Sequence, residues 1–310
     1  MKYIVLDIGG SSVKYALIDD QLKRICNGSK PCSTDSMEGL LDPIRKIKEE
    51  IQDEYDGVAV SMPGRIDTKQ GIAYTGGAFT FINQDHMEKR LQEIFEKPVT
   101  IANDGKCAAN AELAYGALRG ADSGAVLILG TGIGGGIIMN GKVWMGHSFG
   151  AGEFSTLPTS FDEFNRFEVG TDDIASFPQW ARDFSTRGLV HTYCRKKGII
   201  DTEGYDGRKF FEAYDAHDAE AIEVFSKFCQ GLAIGIYSIQ AIVDVERIAI
   251  GGGISARPEV AEGIRKAVDN LFDRLIGCPF NRPEIVPCDY GNNANLLGAL
   301  RFHLERVITD

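Results

Sequence analysis

Leu129-Gly130-Thr131-Gly132-Ile133-Gly134-Gly135-Gly136-Ile137-Ile138 stands in the middle of the chain, entered by the apolar run Ala125-Val126-Leu127-Ile128 and left by another that reaches Met139. Five of the seven residues from Gly130 to Gly136 are glycine. A backbone without side chains lets successive N–H groups approach an anion closely. By its letters Gly130-x-Gly132-x-x-Gly135 fits the dinucleotide-binding fingerprint, but that fingerprint needs a helix after the loop. Here Gly136 to Trp144 reads as a strand broken by the Asn140-Gly141 turn. No Gly-Lys-Ser/Thr follows, so it is not a Walker A loop either. Two readings remain for the run on its own: a hairpin that cradles phosphate, and a tight turn with close strand packing.

The start of the chain repeats the layout. Lys2 to Asp7 reads as a strand, Ile8-Gly9-Gly10-Ser11-Ser12 as a turn, and Val13 to Asp19 as a second strand. Two such hairpins predict an internally duplicated α/β fold, clearer in pattern than in letters. A third glycine turn, Gly251-Gly252-Gly253, follows the strand Glu246 to Ile250. Together the three turns are expected to wrap a nucleotide, the two hairpins on the phosphates and the third against the adenosine.

The remaining periodicities predict strands at Arg24 to Pro31, Gly57 to Met62, Pro98 to Ala102 and Glu284 to Pro287. Helices are predicted at Met37 to Tyr55, with Pro43 near its first turn, and at Asp85 to Glu96, Lys106 to Leu118, Thr186 to Lys197 and Gly207 to Tyr214. Pro258 to Leu275 and Ala294 to Val307 complete the set. The long apolar helix Ala219 to Val243 reads as a core helix, with a homodimer surface as the alternative. Gly146 to Asp183 is the least regular stretch, and a loop of that length is often functional. A crossover near Gly116 to Asp122 divides the chain into a first domain, 1–117, rejoined by the closing helix about 294–310, and a second, 118–293.

The formal net charge of −11 and the pI near 5.0 disfavour non-specific binding to nucleic acid or to an anionic membrane. Met1-Lys2-Tyr3 leads straight into a strand, so no signal peptide is read, and no apolar run is long enough to span a bilayer. Seven cysteines, odd in number and without a C-x-x-C pair, fit reduced thiols in a cytoplasmic protein.

Three carboxylates stand where chemistry is expected. Asp7 ends a strand beside the first loop, where it either caps the turn or holds Mg²⁺ directly or through water. Asp104 ends a strand at a helix start, where either it or Asn103 caps the helix; the functional reading of Asp104 is a general base for a hydroxyl. Glu153, in Gly150-Ala151-Gly152-Glu153-Phe154, either hydrogen-bonds sugar hydroxyls or faces water.

With these residues in hand, the chain resembles the sugar kinases of the ROK family, within the actin-like, hexokinase-like ATPase superfamily. The matching motifs are Asp7-Ile8-Gly9-Gly10-Ser11, Ser61-Met62-Pro63-Gly64, Asn103-Asp104 followed by Ala108 and Glu112, Leu129-Gly130-Thr131-Gly132-x-Gly134-Gly135, Gly150-Ala151-Gly152-Glu153 and Ile250-Gly251-Gly252-Gly253. They run in family order over nearly the whole chain. The resemblance implies a two-domain, duplicated RNase H-like fold with its active site in the cleft between domains, and transfer of phosphate from MgATP to a sugar 6-hydroxyl. By the same resemblance Asp104 is the catalytic base and Asp7 places Mg²⁺, through water. Gly64, Gly77, Asn103, Asp104 and Glu153 contact sugar. Gly9, Gly10, Ser11, Gly130, Thr131, Gly132, Gly252 and Gly253 contact ATP.

The chain departs from the family pattern after Glu153. Family members that bear zinc carry Gly-Glu-x-Gly-His, whereas this chain reads Glu153-Phe154-Ser155-Thr156, with Thr156 in place of His. Pro158 to Trp180 contains no cysteine, and a later sugar-contacting Glu is missing near Ala181. No structural zinc is therefore expected. A zinc-free member resembles the β-glucoside kinases, so a β-glucoside such as cellobiose is the expected substrate, with N-acetylmannosamine or glucose as the alternative. The family's sugar-sensing repressors, the non-catalytic alternative, carry a helix-turn-helix domain before the first loop. Asp7 stands too near Met1 for one here.

Overall fold

The computed structural model describes residues 1–160, 162, 179–202 and 204–309. Strands β1 (Lys2–Ile8), β2 (Ser12–Asp19), β3 (Arg24–Pro31), β4 (Gly57–Met62) and, after a small sheet of β5 (Ile66–Asp67), β6 (Ile72–Thr75) and β7 (Asn83–Asp85), β8 (Val99–Asn103) build a sheet in the order β3-β2-β1-β4-β8. The first three run antiparallel, and β1, β4 and β8 run parallel. A second sheet of β9 (Gly124–Leu129), β10 (Ile133–Met139), β11 (Lys142–Trp144), β12 (Arg247–Gly251) and β13 (Glu284–Pro287) has the order β11-β10-β9-β12-β13 and the same strand senses. Strand for strand, β9 takes the place of β1 and β10 that of β2. The duplication expected from the two hairpins extends to all five strands of each sheet.

Alternation along β1 explains its burial on both faces. Ile4, Leu6 and Ile8 join a core with Leu40, Ile44 and Ile47 of α1 (Met37–Glu50) and Leu91 of α2 (Met87–Phe95). Tyr3 and Val5 join the opposite core with Cys107, Ala108 and Ala111 of α3 (Asp104–Tyr115) and Leu297 and Leu300 of α9 (Ala294–Thr309). Between α3 and α9 lie α4 (Trp180–Phe184), α5 (Thr186–Lys197), α6 (Gly207–Asp215), α7 (Ala219–Val243) and α8 (Pro258–Phe272). These pack a large core against Leu127 and Leu129 of β9. Helix α7 buries Phe228, Leu232 and Ile236 there and exposes Ile222, Ile234 and Ile242 on its other side.

Helix α3 lies between the sheets. Every residue from Gly105 to Glu112 is buried. Ala109 packs with Val126, Ile138 and Ala249 of the second sheet, while its neighbours face the first. That position explains an alanine-rich helix with no polar face. The small side chains let two sheets approach one helix from both sides.

Here the central glycine run divides into two parts. Gly130 to Gly132 form the turn, and Gly134 to Gly136 lie within β10. A Cβ on Gly135 would stand 2.0 Å from the Val126 carbonyl oxygen, and one on Gly136 would stand 2.7 Å from Ala109 Cβ. A Cβ on Gly105 would stand 2.6 Å from both the nitrogen and the oxygen of Gly135. Close strand packing is therefore the reading that holds for Gly135, Gly136 makes room for α3, and a Cβ at Gly130 meets nothing within 4 Å.

Three expectations are corrected. Helix α1 ends at Glu50 rather than Tyr55, because Ile51 turns extended and buries its side chain. Pro43 lies beyond its first turn, and the carbonyl of Gly39 that its missing N–H leaves free accepts instead from the Ser33 N–H at 3.3 Å. The irregular stretch Gly146 to Asp183 ends in α4, whose Trp180 is buried and donates to the Gly231 carbonyl at 3.1 Å; residues 161 and 163–178 of that stretch lie outside the described residues.

Gly135→Ala is expected to cost about 1–3 kcal/mol of stability by overpacking. Gly130→Ala should stay within about 0.5 kcal/mol of the parent. Paired urea or thermal melts separate the two, and equal losses would contradict this division of the run.

Candidate active site

Strand β8 ends at Asn103, opposite Met62 of the neighbouring β4. The Asn103 side-chain oxygen accepts the Lys106 N–H at 3.1 Å and so caps α3. Its Nδ2 donates to the Gly64 carbonyl at 2.9 Å and to Asp104 Oδ1 at 3.0 Å. Of the two cap candidates the structure selects Asn103, and Asp104 becomes the first residue of the helix. Asp104 Oδ1 also accepts from the Gly105 N–H at 2.8 Å, so its other oxygen carries no capping duty. Gly64 has φ +103°, and a Cβ there would stand 2.1 Å from the Thr75 carbonyl oxygen. Only glycine lets this turn run so close to the strand beside it. Gly77 lies against the same turn, where a Cβ would stand 3.0 Å from Pro63 Cβ.

Asp7 leaves β1 opposite Ser61 of β4. Its Oδ1 accepts from Ser61 Oγ and from Asn295 Nδ2, both at 3.0 Å, while Oδ2 meets Lys14 Nζ at 3.8 Å. The carboxylate is held by three different elements and does not cap the turn beside it. Gly10 of that turn lies against Ala78, next to Gly77. The first hairpin turn and the Gly64–Gly77 pair thus border one region.

Glu153 comes from the second half. Its Oε1 accepts from Lys106 Nζ at 3.0 Å, and Lys106 is fully buried. The short 3-10 turn after it, Phe154–Thr156, is tied to β10 by Ser155, whose Oγ accepts the Ile133 N–H at 2.9 Å and donates to the Ile133 carbonyl at 3.2 Å. Thr156 Oγ1 donates to the Glu153 backbone carbonyl at 2.9 Å, so it does not serve the carboxylate. The residue near Ala181 read as replacing a sugar-contacting Glu belongs to α4 and is buried.

Removal from water raises the Asp104 carboxyl to about 6; the Gly105 N–H pulls it down, the charges of Asp7 and Glu153 push it further up, and Lys106 pulls it down. A carboxyl tuned this way is a base of useful strength near neutral pH.

A cavity of about 670 Å³ opens on the second half, lined by Gly130, Thr131 and Gly253 together with Arg187, Tyr205 and Phe211. The second and third glycine turns share it. Gly9, Gly10 and Ser11 do not line it, nor do Gly132 and Gly252. Gly252, at φ +101°, instead lets the chain pass the end of β9, a Cβ there falling 2.2 Å from the Leu129 carbonyl oxygen. The Arg257 guanidinium stacks 4.6 Å over the Phe211 ring at the cavity wall and forks onto Asp215 at 2.9 and 2.6 Å. Among the described residues no three His, Cys, Asp or Glu side chains group as a metal site, and no helix is long and apolar enough to cross a membrane.

Sequence reading missed Lys106, the aromatic and arginine wall of the cavity, and Asn295. Lys106 had one signal, a lone cation inside an alanine-rich helix start.

Ionised Asp104 disfavours the folded state, since its folded value of about 6 lies above the ordinary carboxyl value. The stability it contributes is full at the acid end and is lost as pH rises through about 6. Asp104→Asn, which keeps both accepted hydrogen bonds, should melt with the parent near pH 4 and above it at pH 8. A lower melting temperature at pH 8 would refute this account of the carboxyl.

Residues 3–306 match the model of the ROK family. A β-glucoside kinase of Listeria monocytogenes is 30% identical over 310 residues, covering 98% of each chain. An N-acetyl-D-glucosamine kinase of Vibrio atlanticus is 26% identical, covering 98% of this chain and 100% of that one. Among solved structures, a ROK family protein of Streptococcus pneumoniae in complex with sucrose superposes with a TM-score of 0.84 at 28% identity, over 100% of both chains. With a family model matched across nearly its whole length and the duplicated sheets to go with it, the chain belongs to the ROK family.

Proposed function

We propose that this protein is an ATP-dependent sugar kinase that phosphorylates the 6-hydroxyl of a β-glucoside such as cellobiose. The observation that carries the reading is Asp104, released from capping by Asn103, raised to about 6 and set between the Gly64 turn and Glu153. Asp104 accepts the proton of the hydroxyl as its oxygen attacks the γ-phosphorus in line, and ADP leaves. Gly64, Gly77, Asn103 and Glu153 orient the sugar. The backbone N–H groups of Gly9 to Ser11 and Gly130 to Gly132 meet the phosphates, and the cavity beside Gly253 takes the nucleoside.

The residues fit Mg²⁺. Asp7 has one oxygen fully engaged by Ser61 and Asn295 and the other short of a close partner, which suits a single carboxylate holding the hydrated ion. Bound there, Mg²⁺ supplies charge neutralisation on the phosphates. The two halves, 1–117 with 294–310 and 118–293, close over the site and exclude water. No zinc is part of the proposal, since residues 158–180 offer no cysteine.

The β-glucoside is supported by Thr156 in place of His and by the relative of that activity at 30% identity. ADP release should be measured against cellobiose, another β-glucoside, glucose, N-acetylglucosamine and N-acetylmannosamine. A β-glucoside should give the highest kcat/KM. A free hexose used far better would replace the substrate, and no turnover with any of them would remove the kinase.

Asp104→Asn should lower kcat roughly 10²–10⁴-fold. The parent's kcat should fall as pH drops through about 6. Near-normal turnover in the variant would remove Asp104 from the mechanism.

A further inference from the structure

Lys106 has no exposed surface, yet it carries a cation into the first turn of α3, two residues after Asp104. Among the described residues its side-chain hydrogen-bond partner is Glu153 Oε1, at 3.0 Å. The pair is lopsided: the ammonium is buried, and the Glu153 side chain is 47% exposed. Lys106 is also the rigid member. Its own N–H is the one Asn103 caps, and its helix is wedged between two sheets. Glu153 sits on a glycine-flanked loop, with Gly152 at φ +79°. Thr156 commits its hydroxyl to the backbone of that loop.

Replacing both members of a buried ion pair by apolar groups is often neutral or better, and removing one member is costly when the charge left behind is buried. Here the charge left without Lys106 would be that of Glu153, which reaches solvent. What such a pair provides here is geometry. It spans the interval between the helix that carries Asp104 and the loop that carries Glu153. We propose that Lys106 is a positioning residue for the sugar: it fixes the Glu153 carboxylate by Oε1 and leaves Oε2 to accept a substrate hydroxyl. This rests on reading Glu153 as a sugar contact. It assigns Lys106 no contact with sugar or phosphate. Among the described residues Asp104 is a further charge that acts on Lys106, and Asp104 in turn feels Asp7, which is faced by Lys14.

The test is steady-state kinetics of Lys106→Met and Lys106→Gln in the full chain, alone and in a Glu153→Gln background, with cellobiose and ATP varied separately. Losing a hydrogen bond to a charged group predicts a sugar KM raised roughly 10–100-fold in Lys106→Met. The KM for ATP should stay near the parent's, and so should kcat at pH 8, above the range in which Asp104, whose carboxyl Lys106 helps to lower, takes up its proton. Lys106→Gln, which keeps a donor for Glu153, should recover part of the loss, and it carries the same readouts if the methionine variant does not fold. In the Glu153→Gln background either substitution should add nothing. An unchanged sugar KM, a loss shared equally by ATP, or a loss additive with Glu153→Gln overturns the positioning role. A parent enzyme that turns over no sugar overturns it together with the reading on which it rests.

Discussion

The backbone of α3 touches the backbone of β10 at Gly105 and Gly135, and the site depends on that contact. A Cβ on Gly105 would strike the Gly135 backbone, and one on Gly136 would strike Ala109 of the helix. Because neither has one, the first turn of α3 reaches the second sheet while Asn103 still belongs to the first. Gly152 extends the same contact, since a Cβ there would stand 2.9 Å from Gly136 Cα. The loop bearing Glu153 is thereby drawn to the helix bearing Asp104. Glycines on three elements do by absence what no side chain could do by presence.

Electrostatics then distinguishes residues of one type. Asp7, Asp104 and Glu153 are all carboxylates in one region, yet their surroundings differ. Asp7 is fixed by two neutral donors from β4 and α9. Asp104 is short of water and is pushed toward the neutral form. Glu153 is half in solvent and tied to a buried ammonium. Under the proposed function the three have different tasks, holding a cation, accepting a proton and accepting a hydroxyl hydrogen, and each environment suits one of them.

Much of the fold was legible in the sequence. Short apolar runs ended by glycine, proline or asparagine placed the strands within a residue or two, since a strand buried on both faces of its sheet leaves that signature. The likeness of the Gly9–Ser11 and Gly130–Gly132 hairpins foretold two sheets of one topology. The glycine run itself was not fully legible. A glycine that opens a turn and one that admits a helix carry the same letter, and only the neighbours across space tell Gly130 from Gly135. Lys106 was hidden for a similar reason, because a lysine in a helix is usually solvated. Asn295 joins Asp7 from the far end of the chain, a juxtaposition that no local pattern encodes. The small sheet β5–β7 left no strong alternation to read, its strands being two to four residues long.

The most direct measurement is a crystal structure of the protein with a β-glucoside and a non-hydrolysable ATP analogue bound together. The account predicts the sugar's 6-hydroxyl within hydrogen-bond reach of Asp104, about 2.6–3.2 Å. It also predicts a second hydroxyl on Glu153 Oε2 with Lys106 still on Oε1, and the nucleoside in the cavity beside Gly253. A sugar whose 6-hydroxyl points away from Asp104, or one seated without touching Glu153, would contradict it.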